Sequence, residues 1–281
     1  MKIPKSYDNT MPLFSKSTNF LPSPLRFESP SDPGLPADEV HVWRVSLNLP
    51  EKQVRTLREI LHEDELQRAD RFQFSEHRRH FIVARGVLRM LLGRYLCKSP
   101  VQIGFEYNRY GKPFLGNRNP DLYLEGFPGC VTADDTKDDT LEFNLSHSGR
   151  TALYAFSRNR KVGIDVEWTS RRIDDIEQIV RRFFSPQEVE VFSKLPEPLK
   201  RKAFLICWTR KEAYIKAQGK GLSIELDGFD VMPRLGETTW MTLDAGQGGC
   251  WTIRTFVSDG DYIAAVAAEG KEWVMRCWQW G

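Results

Sequence analysis

Hydrophobic residues recur at every second position in some stretches of this chain and at helical spacing in others, which predicts a mixed α+β fold. From Val40 to Leu47, apolar and polar residues alternate as they do in a half-buried strand. From Arg78 to Leu96, apolar residues recur at helical spacing and predict one long helix. Further helices are predicted from Pro50 onward and at 63–71, 176–182, 186–194 and 199–217. Further strands are predicted at 101–107, 122–124, 141–145, 151–156, 162–168, 229–232, 238–242, 250–256 and 262–267.

This order of elements predicts two similar halves. A strand, a long helix and a group of strands are followed by the same arrangement again. We expect a flexible leader at 1–39, rich in Pro, Ser and Asn, an N-terminal half at 40–158 and a C-terminal half at 159–281. Each half is expected to be a small, mainly antiparallel sheet packed on its long helix. Residues 117–140 predict a surface excursion, and 158–160 a hairpin loop.

Composition narrows the functional classes. Of 281 residues, 41% are hydrophobic and the net charge is only +2, which argues against a chain-wide nucleic-acid surface. No apolar run is long enough for a membrane span or forms a signal peptide. The five cysteines include no Cys-x-x-Cys pair, so we expect a reduced cytoplasmic protein.

Two carboxylates share one face of the strand predicted at 162–168. Alternate residues of a strand point the same way, so Asp165 and Glu167 lie about 7 Å apart, from a rise of about 3.3 Å per residue. Such a pair suits Mg²⁺ and a phosphate group. A solvated polar face of the sheet is the alternative.

A carboxylate and an amine lie one turn apart on the helix predicted at 199–217. Trp208, Glu212 and Lys216 form one i, i+4, i+8 row, and the tryptophan indicates a partly buried face. Gly219 and Gly221 then allow the chain to leave the helix sharply. An ordinary surface ion pair between Glu212 and Lys216 is the alternative.

Weaker signals come from one polar segment and from scattered basic residues. Ser146 and His147 follow a predicted strand and suit contacts to phosphate oxygens, although the segment by itself favours a local turn. A Ser-His hydrolase pair is disfavoured because adjacent residues rarely face each other. Arg68 and Lys112 gain a role only if the fold brings them beside a phosphate.

Taken together in their order, these segments resemble the Sfp-type 4′-phosphopantetheinyl transferase family. The resemblance rests on Gly-Ile-Asp-Val-Glu at 163–167 and on Trp-x-x-Lys-Glu-Ala-x-x-Lys-Ala-x-Gly-x-Gly-Leu at 208–222. It also rests on Phe-Asn-Leu-Ser-His-Ser-Gly at 143–149, Tyr-Gly-Lys-Pro at 110–113 and the Arg-Phe-x-Phe segment at 71–74. It covers the chain from Val40 to its C-terminus.

The resemblance implies a pseudo-twofold α+β fold, a monomeric pseudo-dimer with coenzyme A in the cleft between its halves. It implies Mg²⁺ bound by Asp165, Glu167 and Glu212, with Glu212 and Lys216 as catalytic residues. Coenzyme A, the co-substrate, is then contacted by residues from both halves. These are Arg68, Lys112, Ser146, His147, Asp165 and Lys216.

The resemblance also implies a reaction, in which phosphopantetheine passes from coenzyme A to a serine of an apo acyl- or peptidyl-carrier protein. The Trp-x-x-Lys-Glu-Ala form is similar to the branch associated with polyketide and fatty-acid carriers. Two alternatives remain open: a non-catalytic module that binds coenzyme A or a carrier, and a Mg²⁺-dependent pyrophosphate hydrolase.

Overall fold

The computed structural model describes residues 34–116, 140–232, 240–244 and 249–281, without the side chains of Leu222 and Trp240. The described helices are α1 Glu51–Glu59, α2 Glu63–Asp70, α3 Ser75–Leu96, α4 Ile176–Phe183, α5 Pro186–Ser193 and α6 Glu197–Gln218. The first five described strands are β1 Glu39–Ser46, β2 Phe105–Tyr107, β3 Pro113–Leu115, β4 Leu141–Ser148 and β5 Thr151–Arg158. The others are β6 Val162–Trp168, β7 Trp240–Asp244, β8 Cys250–Ser258, β9 Tyr262–Glu269 and β10 Val274–Gln279.

The described strands form two four-stranded sheets and one small hairpin. One sheet has the order β10-β1-β5-β4, the other has the order β6-β9-β8-β7, and β2 pairs with β3. All these pairs are antiparallel except β1 with β10, which run parallel. The C-terminal strand therefore completes the sheet of the N-terminal half.

The two halves repeat one arrangement. In each, a first strand (β1 or β6) leads to a 22-residue helix (α3 or α6). A hairpin follows, and its second strand returns antiparallel to the first strand of the half. Both long helices end at a residue with positive φ, Cys97 at 53° and Gly219 at 66°. This repetition confirms the predicted fold class.

Side chains on β4 join the two sheets. The Oδ1 atom of Asn144 accepts a hydrogen bond from the backbone N–H of Ile164 at 2.9 Å. Four residues farther along each strand, the Oγ atom of Ser148 accepts one from the N–H of Trp168 at 3.0 Å. The two contacts advance in the same direction, so β4 and β6 run side by side and parallel. One face of β4 therefore meets the carboxylates of β6.

Several local predictions were wrong. The strand predicted at 101–107 is a 3₁₀ turn at Pro100–Gln102 followed by the short β2. Proline favours the first position of such a turn because its fixed φ suits it. No strand forms at 229–232, and β10 was not predicted. Residues 158–160 do not form a hairpin loop, because β5 pairs with β1 and β4 whereas β6 pairs with β9.

Two further observations concern the predicted leader and the cysteines. Leu35 packs in the core of the N-terminal half and is 7% exposed, whereas the division of the chain at residue 39 stays a prediction. Residues 1–33 and 117–139, with the strand predicted at 122–124, lie outside the described part of the chain. Cys97 is disulfide-bonded, whereas Cys207, Cys250 and Cys277 are free thiols. Among the helices that the structure describes, none has the length and apolar character needed to cross a bilayer.

Candidate active site

The site is built where α6 crosses β6. Asp165 and Glu167 share one face of β6, whereas Ile164 and Val166 point into an apolar core, as the alternation predicted. The carboxylates are also buried, 5% and 8% exposed, so they do not form a solvated polar face. Buried carboxylates need partners, because desolvation disfavours their charge.

Asp165 finds its partners on two other elements. Its Oδ1 atom accepts a hydrogen bond from the Ser146 hydroxyl of β4 at 2.8 Å. The same oxygen accepts one from the Lys216 ammonium of α6 at 2.6 Å, and Lys216 also donates to the Ser146 oxygen at 3.0 Å. Three elements thus meet at one carboxylate oxygen. The second oxygen, Oδ2, is buried and has no hydrogen-bond partner among the described residues.

Glu167 is paired in a similar way. Its Oε2 atom accepts a hydrogen bond from the Ser148 hydroxyl at 3.0 Å, and its Oε1 atom forms an ion pair with Arg171 at 2.6 Å. Ser146 and Ser148 therefore alternate on β4 in step with Asp165 and Glu167 on β6. The predicted turn at these positions was wrong, because the segment continues as strand through Ser148.

Glu212 lies one helical turn before Lys216, on the partly buried row that the sequence predicted. Trp208 anchors that row by packing on Phe204 and Phe183, with ring centroids 5.9 Å apart in each pair. Burial, followed by repulsion from Asp165, raises the pKa of Glu212, and Glu167 adds to the effect. Glu212 is thus close enough to Asp165 and Glu167 for their charges to act on it.

Their arrangement suits one kind of metal site. In the part of the chain that the structure describes, no group of three or more His, Cys, Asp or Glu side chains is placed to hold a metal ion by itself. The set is instead open, with the unpartnered Oδ2 of Asp165 and the carboxyl group of Glu212 as donors not bound to a described cation. Mg²⁺ usually keeps waters and binds substrate phosphates alongside one or two carboxylates. The residues present fit Mg²⁺ shared with a phosphate, rather than a metal held by protein alone.

His147 lies at the exposed rim of this site, between the buried Ser146 and Ser148. Although the ring is exposed, its partial desolvation, followed by repulsion from the Lys216 ammonium, lowers its pKa. An anion placed near both groups would relieve that repulsion.

The two other predicted site residues lie elsewhere. Lys112, in the turn between β2 and β3, donates to the carbonyl oxygens of Ala217 and Val162. Arg68 is exposed on α2, with its guanidinium 5.3 Å from the centre of the Phe81 ring. Arg68 also lines a cleft with Asp64, Gln67, Arg71, Phe72 and Tyr107. Among the described residues, no hydrogen bond or ion pair joins Arg68 to Ser146 or Asp165.

Known families account for nearly all of this chain from residue 48 to residue 267. A family model described as the 4′-phosphopantetheinyl transferase superfamily matches residues 161–267. A second, described as 4′-phosphopantetheinyl transferase, N-terminal, matches residues 48–159.

Named relatives agree. The chain is 39% identical to the 4′-phosphopantetheinyl transferase HetI of Nostoc sp. over 244 residues, which is 87% of this chain and 93% of the relative. The chain belongs to the 4′-phosphopantetheinyl transferase family. It is also 29% identical to the 4′-phosphopantetheinyl transferase Sfp of Bacillus subtilis, over 70% of this chain and 77% of the relative. A putative 4′-phosphopantetheinyl transferase of Synechocystis sp. is 29% identical over 78% of this chain and 79% of the relative.

Sequence reasoning missed two residues that organise this candidate site. Ser148 and Arg171 both bind Glu167. The alternation Asn-x-Ser-x-Ser at 144–148 was the available signal for Ser148, since it continues the strand pattern. Arg171 lies four residues after Glu167 but outside β6, so no periodicity linked the two.

Proposed function

We propose that this protein transfers the 4′-phosphopantetheine group of coenzyme A to a serine hydroxyl of an apo acyl- or peptidyl-carrier protein. The products are the holo-carrier and 3′,5′-ADP. The observation that carries the proposal is the meeting of Ser146, Asp165 and Lys216 at the crossing of α6 and β6, with Glu212 one turn away. Membership of the family supports the same reaction.

Asp165, Glu167 and Glu212 are the residues that would hold Mg²⁺. When bound, the metal neutralises negative charge on the pyrophosphate of coenzyme A. Asp165 offers its unpartnered buried oxygen, and Glu212 offers a carboxyl group whose raised pKa a cation would lower again.

Side chains of the protein transfer the proton and stabilise the leaving group. Glu212, directly or through a water, takes the proton of the carrier serine as its oxygen bonds to the pantetheine-side phosphorus. The bond from that phosphorus to the oxygen bridging the two phosphates breaks, and its electron pair leaves on 3′,5′-ADP. The Lys216 ammonium stabilises that charge. Ser146, His147 and Arg68 contact the phosphates of the donor and hold it in place.

The partner and the setting follow from the same proposal. The carrier is an acidic helical protein that docks beside the cleft, and charge complementarity favours that encounter. Carriers of polyketide, fatty-acid or nonribosomal peptide synthesis belong to this class. We propose that the enzyme works as a cytoplasmic monomer, without nucleic acid or membrane.

The test is transfer to a panel of apo-carriers. The protein, coenzyme A and Mg²⁺ are incubated with each carrier, and mass spectrometry detects the added phosphopantetheine. Asp165→Asn is expected to abolish transfer while circular dichroism stays unchanged. Asp174→Asn, which alters an exposed carboxylate paired with Arg172, is the matched control and should transfer normally.

Other outcomes would favour the alternatives. Release of 3′,5′-ADP without any carrier would indicate a pyrophosphate hydrolase. Binding of coenzyme A with neither product would indicate a non-catalytic module. Metal-dependent transfer by Asp165→Asn at the normal rate would overturn the ligand assignment.

A further inference from the structure

The turn between β2 and β3 belongs to the N-terminal half but binds the end of α6 in the C-terminal half. The Nδ2 atom of Asn108 donates to the carbonyl oxygen of Gly219 at 2.6 Å. The Lys112 ammonium donates to the carbonyl oxygens of Ala217 at 3.1 Å and Val162 at 3.3 Å. The bonds to Ala217 and Gly219 satisfy carbonyls that a helix end leaves without intrahelical partners, and the bond to Val162 reaches strand β6.

Asn108 also builds the turn from which it reaches. Its Oδ1 atom accepts hydrogen bonds from the backbone N–H groups of Tyr110 at 2.9 Å and Lys112 at 3.0 Å. These two donors fix the orientation of the side-chain amide, so Nδ2 must face Gly219. The oxygen of Asn108 therefore shapes the turn, and the nitrogen of the same side chain docks it.

The β2–β3 turn and the end of α6 pack closely at Gly219. A Cβ built on Gly219 would lie 2.9 Å from Cδ of Lys112 and 3.2 Å from Nδ2 of Asn108. Lys112 is half-buried, and desolvation lowers its pKa. Two of the three N–H donors of the Lys112 ammonium bind backbone carbonyls, which leaves one donor for any other partner.

The anchored carbonyls flank the reacting groups. Ala217 directly follows Lys216, and Val162 is the first residue of the strand that carries Asp165. Lys112 therefore ties together the two elements whose side chains meet at 2.6 Å in the Lys216–Asp165 pair. A shift of the helix end would change that distance directly.

We infer that Asn108 and Lys112 are positioning residues, an inter-half clamp that holds Lys216 against Asp165, rather than ligands of coenzyme A. This inference rests on the proposed function and gives Lys112 a role different from the coenzyme A contact that the family resemblance implied. The charge of Lys112 also suits the C-terminal end of a helix, where cations are favoured.

Asn108→Asp tests the clamp, because the substitution keeps the oxygen that shapes the turn and removes the donor to Gly219. We expect kcat to fall by at least about tenfold, since displacement by about 1 Å can cost about 10²-fold. KM for coenzyme A should stay within about twofold, because no donor contact is lost. Lys112→Met should likewise lower kcat with little change in KM for coenzyme A. Lys112→Arg should recover part of kcat.

Arg109→Gln is the matched control. It removes one positive charge from the same turn, like Lys112→Met, but Arg109 is exposed and contacts the Tyr110 ring. We expect its kinetics to match those of the parent enzyme.

Hydrogen–deuterium exchange gives a readout that does not depend on activity. In Asn108→Asp and Lys112→Met, the amides of 215–219 should exchange faster than in the parent, while those of α3 should not change. The clamp is refuted if these amides are unaffected. It is also refuted if Lys112→Met raises KM for coenzyme A about tenfold with kcat unchanged, the pattern of a lost donor contact. If the parent protein transfers nothing to any carrier, the proposed function fails, and the exchange data alone decide the clamp.

Discussion

Gly163 of β6 lies against Ala213 of α6 so closely that a Cβ on the glycine would come within 2.1 Å of the Ala213 carbonyl oxygen. It would also lie 2.3 Å from the backbone nitrogen of Ala217. Helix and strand therefore touch backbone to backbone, two residues before Asp165. Glu212 and Lys216 each precede one of these alanines, so the same contact brings both of them to the edge of β6.

Gly163→Ala should separate the helix from the strand. The methyl group has no space, so we expect a loss of about 1–3 kcal/mol in the free energy of unfolding. Transfer should fall further than stability suggests, by about 10- to 100-fold, because Lys216 moves away from Asp165. Urea denaturation and steady-state kinetics measure the two effects. Gly34→Ala is the control, since a Cβ at Gly34 meets nothing within 4 Å; equal losses in both variants would contradict the argument.

Glu212→Gln should abolish transfer yet stabilise the metal-free protein at neutral pH. A folded-state pKa above the unfolded value gives stability at low pH that is lost as pH rises through the folded pKa. The glutamine side chain does not ionise, so the variant avoids the stability that the parent loses at neutral pH. With a chelator present at pH 7.5, its melting temperature should therefore be higher by about 2 °C or more. The gain should shrink as the pH falls below the unfolded pKa of glutamate, about 4.3, because Glu212 is then increasingly protonated in both states. A melting temperature that is lower at both pH values would contradict the prediction.

Lys211→Met should be strongly destabilising. Lys211 and Glu188 form a buried ion pair at 2.7 Å, 0% and 1% exposed, and Lys211 also donates to the carbonyls of Leu226 and Phe229. Removing the ammonium leaves a buried carboxylate without its countercharge, which costs about 3–5 kcal/mol. Urea denaturation measures the loss. Adding Glu188→Gln should recover part of it, and a double variant less stable than Lys211→Met would show that charge is not the cause.

Leu35→Ala tests where the ordered N-terminal half begins. Leu35 packs in the core, and its carbonyl oxygen accepts a hydrogen bond from Arg158 at 3.1 Å. Truncating a buried leucine to alanine costs about 2–5 kcal/mol, which thermal or urea unfolding would detect. Pro36→Ala changes an exposed neighbour and should cost no more than about 0.5 kcal/mol. Equal effects in both variants would support the predicted boundary at residue 39.

The sequence predicted side-chain positions best where they depend only on the period of one strand or one helix. Strand alternation placed Asp165 and Glu167 on one face of β6, and helical spacing placed Glu212 and Lys216 on one row of α6. These relationships hold within one element, so they do not depend on what packs against it. The repeated order of elements likewise predicted two similar halves.

Relationships between elements were decided by the tertiary structure alone. The parallel contact of β4 with β6 turned Ser146 and Ser148 into partners of buried carboxylates, although the segment also suits a local turn. Docking of the β2–β3 turn placed the Lys112 ammonium in hydrogen bonds with two backbone carbonyls. Strand β10 paired with β1 and so joined the sheet of the N-terminal half, which is distant in sequence. The physical reason is that such contacts depend on which surfaces are buried together, whereas periodicity records only which residues of one element share a face.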